Sequence, residues 1–133
     1  MSNNFTLVFA EGIPKGTAQQ KRYDGRTKRY FKSTSLVITE RAFYAALYPH
    51  RPKQPSENPI VLEIDFHFDT KDKKKWGNPK TSTPDVDNYA KAFIDQMTRC
   101  GFWKDDSQIY DLHLTKVWSD MAKIRVSWGE VEK

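Results

Sequence analysis

The sequence contains a single cysteine, Cys100, and no long apolar run. One cysteine cannot form a disulfide within the chain, so a disulfide-stabilised scaffold is excluded, and we interpret Cys100 as a small buried thiol without a chemical role. No stretch approaches the roughly 18 to 20 apolar residues that span a bilayer. Residues 1–10 also lack the basic-then-apolar order of a signal peptide. We therefore expect a cytoplasmic protein that does not bind membranes.

The chain has the length and composition of one globular domain. Its 133 residues are enough for one core. Hydrophobic residues make up 38% and aromatic residues 14%, while 29% charged residues keep the surface polar. This balance excludes a disordered or a fibrous chain. We predict a single domain over residues 1–133.

Positive charge is concentrated in two segments. The formal net charge is +5, yet residues 11–32 hold seven basic side chains against two acidic ones, and residues 71–80 hold five lysines against one aspartate. Residues 81–111 reverse the balance, with six aspartates against three basic side chains. Basic flanks around a carboxylate centre suit an anionic DNA backbone, although lysines can also be merely solvated. The residues that we expect to contact DNA are Lys15, Lys21, Arg22, Arg29, Lys73, Lys74, Lys75 and Lys80.

The first half of the chain predicts a strand, a basic arm and a short helix. Weak alternation predicts the strand over residues 5–10, and the Asp-Gly pair at residues 24–25 predicts a turn within a basic hairpin arm of about residues 15–33. The β-branched run at residues 37–39 resists helix. We therefore predict a helix over residues 39–47, with the threonine at its start as N-cap.

The second half predicts three strands and a better helix. Alternation over residues 60–67 predicts a central strand, and the polar basic segment of about residues 70–83 predicts a mobile surface loop. Apolar residues recur at helical spacing from residue 86 until a glycine at 101, which predicts a helix. Residues 108–118 and 122–131 predict two closing strands, which we expect to form an antiparallel hairpin.

Two carboxylates stand at the predicted start of the second helix. Asp85 follows Pro84 and would be the N-cap, and Asp87 would lie in the first turn. Carboxylates this close repel one another unless a cation lies between them, and Mg²⁺ prefers oxygen ligands of this kind. Aspartate is also favoured at these positions by hydrogen bonding and the helix dipole alone. The pair by itself leaves both interpretations open.

A lysine and a second acidic pair could join this centre. Lys91 lies four residues after Asp87 on the same helix face, where it could reach the same site or form an ordinary helix ion pair. Asp95 is better explained as an ion-pair partner than as a metal ligand. Asp105 and Asp106 could return to the helix N-terminus if the next strand runs antiparallel to the helix. One would then face the site and the other would cap the turn, and spacing cannot choose between them.

Taken together, these residues resemble the RusA family of Holliday junction resolvases. The resemblance is densest over residues 80–118. Its motifs are Asp85-x-Asp87-Asn88-x-x-Lys91 and then Gly101-Phe102-Trp103-x-Asp105-Asp106-x-Gln108, followed by a hydrophobic strand. The resemblance implies that Asp85, Asp87 and Asp106 are metal-binding catalytic carboxylates and that Lys91 is the catalytic basic residue.

The same resemblance implies the rest of the expected biochemistry. It implies an α+β fold, with about two helices packed on a small mixed β-sheet, and a homodimer. It also implies Mg²⁺ dependence, with Mn²⁺ as a substitute, and paired cuts in four-way junctions during DNA recombination and repair, in a bacterial or phage-encoded protein. The chemistry agrees, because carboxylate-bound Mg²⁺ supplies what phosphodiester hydrolysis needs. Lys91 could orient the water or neutralise a non-bridging oxygen.

Two other classes of protein compete with this hypothesis. One is a non-catalytic DNA-binding module that uses only the basic arm and loop. The other is a phosphotransferase with a covalent aspartyl phosphate, but its acidic pair would follow an apolar strand, whereas a polar loop and Pro84 precede Asp85 here. A calcium-binding loop is excluded because Ala90 stands where such a loop requires glycine. A metal-dependent endonuclease for branched DNA explains the most residues.

Overall fold

The computed structural model describes residues 3–16, 21–26 and 29–132, with only the backbone described at residues 21–24 and 29–32. The strands and helices follow in the order β1 (Asn3–Val8), β2 (Lys21–Asp24), β3 (Arg29–Lys32), α1 (Thr34–Leu47), β4 (Ile60–Asp69), α2 (Val86–Cys100), β5 (Ile109–Ser119) and β6 (Lys123–Glu130). Short 3₁₀ turns lie at Tyr48–His50, Lys73–Lys75 and Asp106–Gln108.

Four strands form a mixed sheet in the order β1-β6-β4-β5. β4 pairs with β5 in parallel and with β6 in antiparallel orientation, and β1 pairs antiparallel with the other side of β6. The predicted central strand is therefore confirmed, as is the α+β class. β2 and β3 form a separate antiparallel hairpin in which Asp24 pairs with Arg29, and this hairpin lies within the segment of the predicted arm. β1 begins and ends two residues earlier than predicted.

The core lies between one face of the sheet and the two helices. The side chains of Ile60, Leu62, Ile64, Phe66 and Phe68 alternate along β4 and are fully or almost fully buried. Each such side chain stabilises the fold by roughly 1.5 to 3 kcal/mol relative to an exposed one. Aromatic rings from α2 pack edge-on against this row; the ring of Phe66 lies 4.9 Å from that of Tyr89 and 5.9 Å from that of Phe93. The Phe43 ring of α1 in turn packs edge-on against those of Tyr89 and Phe93. The helices thus cover one sheet face, and α2 is fixed against β4.

The first helix begins earlier than predicted. Ser33 is its N-cap, because the Ser33 side chain accepts a hydrogen bond from the Leu36 N–H at 3.1 Å. Thr39 is not a cap: it is buried within the helix, and its hydroxyl accepts a hydrogen bond from the Gly16 N–H at 2.8 Å. The small helix cost of the β-branched residues is outweighed by the cap and by burial of side chains such as Phe43.

The second helix agrees with the prediction. Asp85 is its N-cap, and Gly101 ends it in the left-handed conformation with φ of 93°. Met97 and Phe93 are fully buried, as the apolar spacing predicts. Cys100 is buried at the last turn, and this burial raises the pKa of its thiol to about 11. The thiol is therefore protonated near neutral pH, in agreement with a residue that has no chemical role.

The predicted hairpin of the last two strands is wrong. β5 and β6 are not neighbours, because β4 lies between them. α2 connects β4 to β5 as a crossover, and such a connection makes the two strands parallel. The short link after β5 crosses the end of β4, where the Thr70 N–H donates to the Ser119 carbonyl at 3.0 Å. β6 then returns along the opposite side of β4.

The basic loop before α2 is attached to β5 along its second half, whereas we expected it to be mobile. The Gly77 N–H donates to the Trp118 carbonyl at 2.9 Å, and the Trp118 N–H donates to the Asn78 carbonyl at 3.0 Å. The Lys80 N–H donates to the Lys116 carbonyl at 2.9 Å. The loop therefore pairs with the later part of the β5 edge but not with the earlier part. In the part of the chain that the structure describes, no helix is long and apolar enough to cross a membrane.

Candidate active site

A groove of about 330 Å³ lies between α2 and the early part of β5. Its polar rim consists of Asp87, Lys91, Asp95 and Asp106. Its floor consists of the apolar side chains of Ala90, Ile94, Ile109, Tyr110, Leu112 and Leu114. The α-helical spacing of residues 87, 91 and 95 puts all three on one face, as predicted, and Asp106 joins them from the turn before β5.

Asp85 is the N-cap of α2 by its backbone alone. Its carbonyl accepts the first helical hydrogen bond from the Tyr89 N–H at 2.9 Å, but its carboxylate makes no capping hydrogen bond. The carboxylate instead accepts a long hydrogen bond of 3.4 Å from the side chain of Asn88. Asp85 and Asp87 are both exposed. A capping hydrogen bond therefore does not account for an aspartate at position 85. Its carboxylate is available to a cation.

The structure gives Asp105 and Asp106 different roles. The Asp105 carboxylate accepts a hydrogen bond from the Ser107 N–H at 2.9 Å, and the Gln108 side chain accepts one from the Asp105 N–H at 2.8 Å. This capping box fixes the 3₁₀ turn. Asp106 is the exposed first residue of that turn and lines the groove. The geometry thus supports Asp106 as the residue that faces the site.

Lys91 lies on the rim but pairs with Asp95. Their charged groups are 3.9 Å apart, with 64% of the Lys91 side chain and 37% of the Asp95 side chain exposed. An exposed helix pair of this kind contributes only about 0.3 to 0.5 kcal/mol. The pairing expected for Asp95 is confirmed, and so weak a pair leaves Lys91 able to move toward a phosphate in the groove.

The three predicted carboxylates do not converge within one chain. Among the described residues, no three His, Cys, Asp or Glu side chains lie close enough together to hold a metal ion. α2 runs antiparallel to β5, so Asp87 lies at the groove end near Lys116, whereas Asp106 lies at the other end with Asp95. Asp87 and Asp95 are separated by about 12 Å along the helix axis. Asp85 and Asp87 alone fit Mg²⁺, which commonly binds one or two carboxylates together with water and phosphate.

The predicted DNA contacts divide into exposed, buried and undescribed residues. Lys15, Lys73, Lys74 and Lys75 are exposed, and the three consecutive lysines form a 3₁₀ turn capped by the Asp72 carboxylate. The side chains of Lys21, Arg22 and Arg29 lie outside the described residues.

Lys80 contradicts its predicted role as a surface phosphate contact. It is only 7% exposed, and its ammonium donates to the carbonyls of Ser82 and Thr83 and to the Ser82 hydroxyl. A buried ammonium needs such oxygen partners, so it stays inside the loop. Sequence reasoning also missed Lys116, whose ammonium donates to the Pro84 carbonyl at 2.6 Å. No local signal in the sequence connects Lys116 with Pro84, because the two residues are 32 positions apart and meet only in the folded chain.

The chain is similar to endodeoxyribonucleases over most of its length. The family described as endodeoxyribonuclease RusA matches residues 11–127. The crossover junction endodeoxyribonuclease rusA of Lactococcus phage r1t is 34% identical over 95% of this chain and 90% of that protein. The uncharacterized protein YqaN of Bacillus subtilis is 27% identical over 92% of this chain and 89% of its own length. The crossover junction endodeoxyribonuclease RusA of Escherichia coli K12 is 33% identical over 44% of this chain and 41% of that protein.

Asp105 caps the 3₁₀ turn and Asp106 does not, which predicts a pH-dependent difference in stability between variants of the two residues. The Ser107 N–H, and after it the side chains of Asp106 and Ser107, lower the pKa of Asp105. The folded state therefore keeps Asp105 ionised at a lower pH than the unfolded chain does, so its stabilisation is present at neutral pH and is lost as the pH falls through the lowered pKa. We expect Asp105→Ala to lower the Tm at pH 7 and this deficit to shrink at acidic pH.

Thermal unfolding measured between pH 7 and pH 2 checks this expectation. Asp106→Ala is the matched control and should lower the Tm less, because the backbone N–H of Ser107 and the carboxylate of Asp105 remain. A larger deficit for Asp106→Ala than for Asp105→Ala would show that the two roles are assigned the wrong way round.

Proposed function

This chain belongs to the RusA family of endodeoxyribonucleases, and we propose that it is a structure-selective enzyme that resolves Holliday junctions or other branched DNA by Mg²⁺-dependent hydrolysis. The observation that carries the proposal is the groove whose rim has Asp87 and Lys91 toward one end and Asp106 at the other, while Asp105 is engaged in its turn. The family match spans every residue of this groove. The direct test is incubation with a labelled four-way junction and a matched linear duplex, with and without Mg²⁺.

The outcome of that test separates two kinds of protein. Cutting of the junction, dependent on Mg²⁺ and far weaker on the duplex, supports the proposed enzyme. Tight binding of the junction without cutting would instead support a non-catalytic DNA-binding module that uses the basic arm and loop.

The chain's own residues supply binding, charge and position in this reaction. Asp85, Asp87 and Asp106 would hold Mg²⁺, with Mn²⁺ as a substitute, because their oxygens are the ligands that hard cations prefer. When bound, the metal provides an activated water and neutralises charge on the phosphate. Lys91 lies one helical turn from Asp87, where its ammonium can approach a non-bridging phosphate oxygen.

A twofold homodimer would complete the site. β5 is an edge strand, and its early part exposes apolar side chains, with Tyr110 62% and Leu112 44% exposed. An unpaired edge with apolar residues is a surface that a second copy can cover. In a twofold dimer the two β5 strands would face each other antiparallel. The Asp106 end of each subunit would then lie beside the Asp85 and Asp87 end of its partner, which would supply the third carboxylate.

Two basic surfaces are suited to the arms of the DNA. Lys73, Lys74 and Lys75 project from one short turn, and the hairpin of β2 and β3 adds a second basic segment. Trp76 is 41% exposed, and its indole N–H donates to the Thr70 carbonyl at 2.9 Å. This bond fixes the ring, which is then available to stack on an unpaired base. The loop that carries these residues runs from the end of β4 along β5 to the N-terminus of α2.

The carboxylates should be required for cutting but not for binding. We expect Asp85→Asn, Asp87→Asn and Asp106→Asn each to reduce cleavage of a four-way junction by about 100-fold or more, because each removes a metal-ligand charge. Junction affinity should stay the same or increase, since each variant has one negative charge fewer near the DNA. Lys91→Ala should also reduce cleavage, whereas a simple helix ion pair predicts a near-normal rate.

Single-turnover cleavage and a binding titration on the same junction make this measurement. Asp105→Asn is the matched control, since asparagine can still cap the turn and should leave most of the activity. Normal cutting by all three carboxylate variants would mean that the proposed nuclease site does not exist.

The lysine turn should set part of the salt dependence of binding. Neutralising Lys73, Lys74 and Lys75 together should weaken junction binding and reduce the slope of log affinity against log salt by roughly 0.9 for each phosphate that the loop no longer binds. Arg125→Gln is a control, because Arg125 is exposed on the sheet face opposite the helices. An unchanged slope in the triple variant would remove the loop from the DNA interface.

A further inference from the structure

The turn that leads into α2 is held by two lysines. Lys80 donates to the Ser82 hydroxyl at 2.8 Å, to the Ser82 carbonyl at 3.2 Å and to the Thr83 carbonyl. Lys116 donates to the carbonyls of Ser82 and Pro84 at 2.5 and 2.6 Å. The next carbonyl, that of Asp85, accepts the first hydrogen bond of α2. Every backbone carbonyl from Ser82 to the N-cap is therefore bound.

Both lysines are anchored in the sheet. Lys116 belongs to β5, and the backbone N–H of Lys80 donates to the Lys116 carbonyl at 2.9 Å. The Lys80 ammonium lies 4.9 Å from the ring centres of Phe68 and Trp118, which fix its side chain from the other side. A cation over aromatic faces is attracted to them, the more so when it is withdrawn from water. The sheet thus determines where the turn lies.

Holding a turn with a buried charged group costs desolvation free energy. Burial, and after it the nearby charges of Lys116 and Lys15, lower the pKa of Lys80, which means that the surroundings oppose its charge. A neutral donor would hold these carbonyls at a smaller desolvation cost. Two ammonium groups instead place positive charge directly behind the turn that presents Asp85 and Asp87.

We propose that Lys80 and Lys116 are positioning residues, which hold the turn at residues 82–84 so that Asp85 and Asp87 meet the metal in one fixed arrangement. This inference rests on the proposed function, since it takes the two carboxylates as metal ligands. Neither lysine touches the carboxylates or the DNA in this role. Outer residues that orient metal ligands typically change metal affinity by about 10- to 100-fold when they are removed.

The test compares Lys116→Met and Lys80→Met with wild type in the full-length protein. Mg²⁺ titrations by calorimetry should show binding weakened by about tenfold or more, and single-turnover cleavage should require correspondingly more Mg²⁺. Affinity for the junction without metal should stay within about twofold of wild type, whereas it would fall further if either ammonium bound a phosphate. Lys116→Arg should recover most of the Mg²⁺ affinity, since arginine can still donate to both carbonyls.

Lys123→Met is the matched control, because Lys123 is a half-buried strand lysine on the sheet face away from the helices. Lys116 is also only half-buried, so Lys116→Met carries the test if Lys80→Met fails to fold. Mg²⁺ affinity equal to that of wild type in Lys116→Met would overturn the inference. A fall in metal-free junction affinity with unchanged Mg²⁺ binding would also overturn it and make the lysines phosphate ligands. If wild type itself cuts no junction, the proposed function fails, while the Mg²⁺ titrations still decide this inference.

Discussion

The parallel pairing of β4 with β5 determines where the groove and its acidic side chains lie. A parallel pair requires a crossover, and α2 is that crossover. The helix consequently runs antiparallel along the sheet edge, with its N-terminus beside Lys116 and its C-terminal turn beside Asp106. α2 packs against the buried row of β4 side chains, which fixes the distance between the helix and the sheet. One topological choice thus produces the groove, its acidic rim and the attachment of the preceding turn.

The acidic centre and its basic surroundings perform complementary tasks. The neighbouring carboxylates of Asp85 and Asp87 repel one another, and all the groove carboxylates repel the DNA, so the arrangement gains from a cation and from positive charge nearby. The lysine turn at Lys73–Lys75 faces solvent, whereas Lys80 and Lys116 are engaged with the turn before α2. Lys80 lies only five residues after Lys75 yet serves a different purpose, and burial is what distinguishes the two. Asp105 and Asp106 show the same separation, because a capping box occupies the first and leaves the second at the groove.

Local signals predicted the parts of the site that depend on local structure. Sequence patterns correctly predicted the N-cap at Asp85, the end of α2 at Gly101 and the alternation of β4. Each of these features depends on neighbours only a few residues away. The predicted start of α1 was wrong because the weak preference of β-branched residues against helix was considered without the Ser33 N-cap. The hairpin of β5 and β6 was wrong because adjacency in sequence suggested pairing, whereas the crossover inserted β4 between them. Lys80 was misassigned because its burial leaves no trace in local composition. Lys116 was missed because its partner Pro84 lies 32 residues away.

In the proposed dimer, Asp85 and Asp87 of one subunit form one active site with Asp106 of the other, and a subunit-mixing experiment distinguishes this arrangement from a site within one chain. Asp87→Asn and Asp106→Asn proteins, each inactive alone, are unfolded together, refolded and assayed on a four-way junction. Half of the dimers should then be mixed, each with one intact site, so about a quarter of the wild-type sites should return. A mixture of Asp85→Asn with Asp87→Asn should stay inactive, because both changes fall in the same half of the site. No recovery in the first mixture, with wild type active after the same treatment, would contradict the shared site.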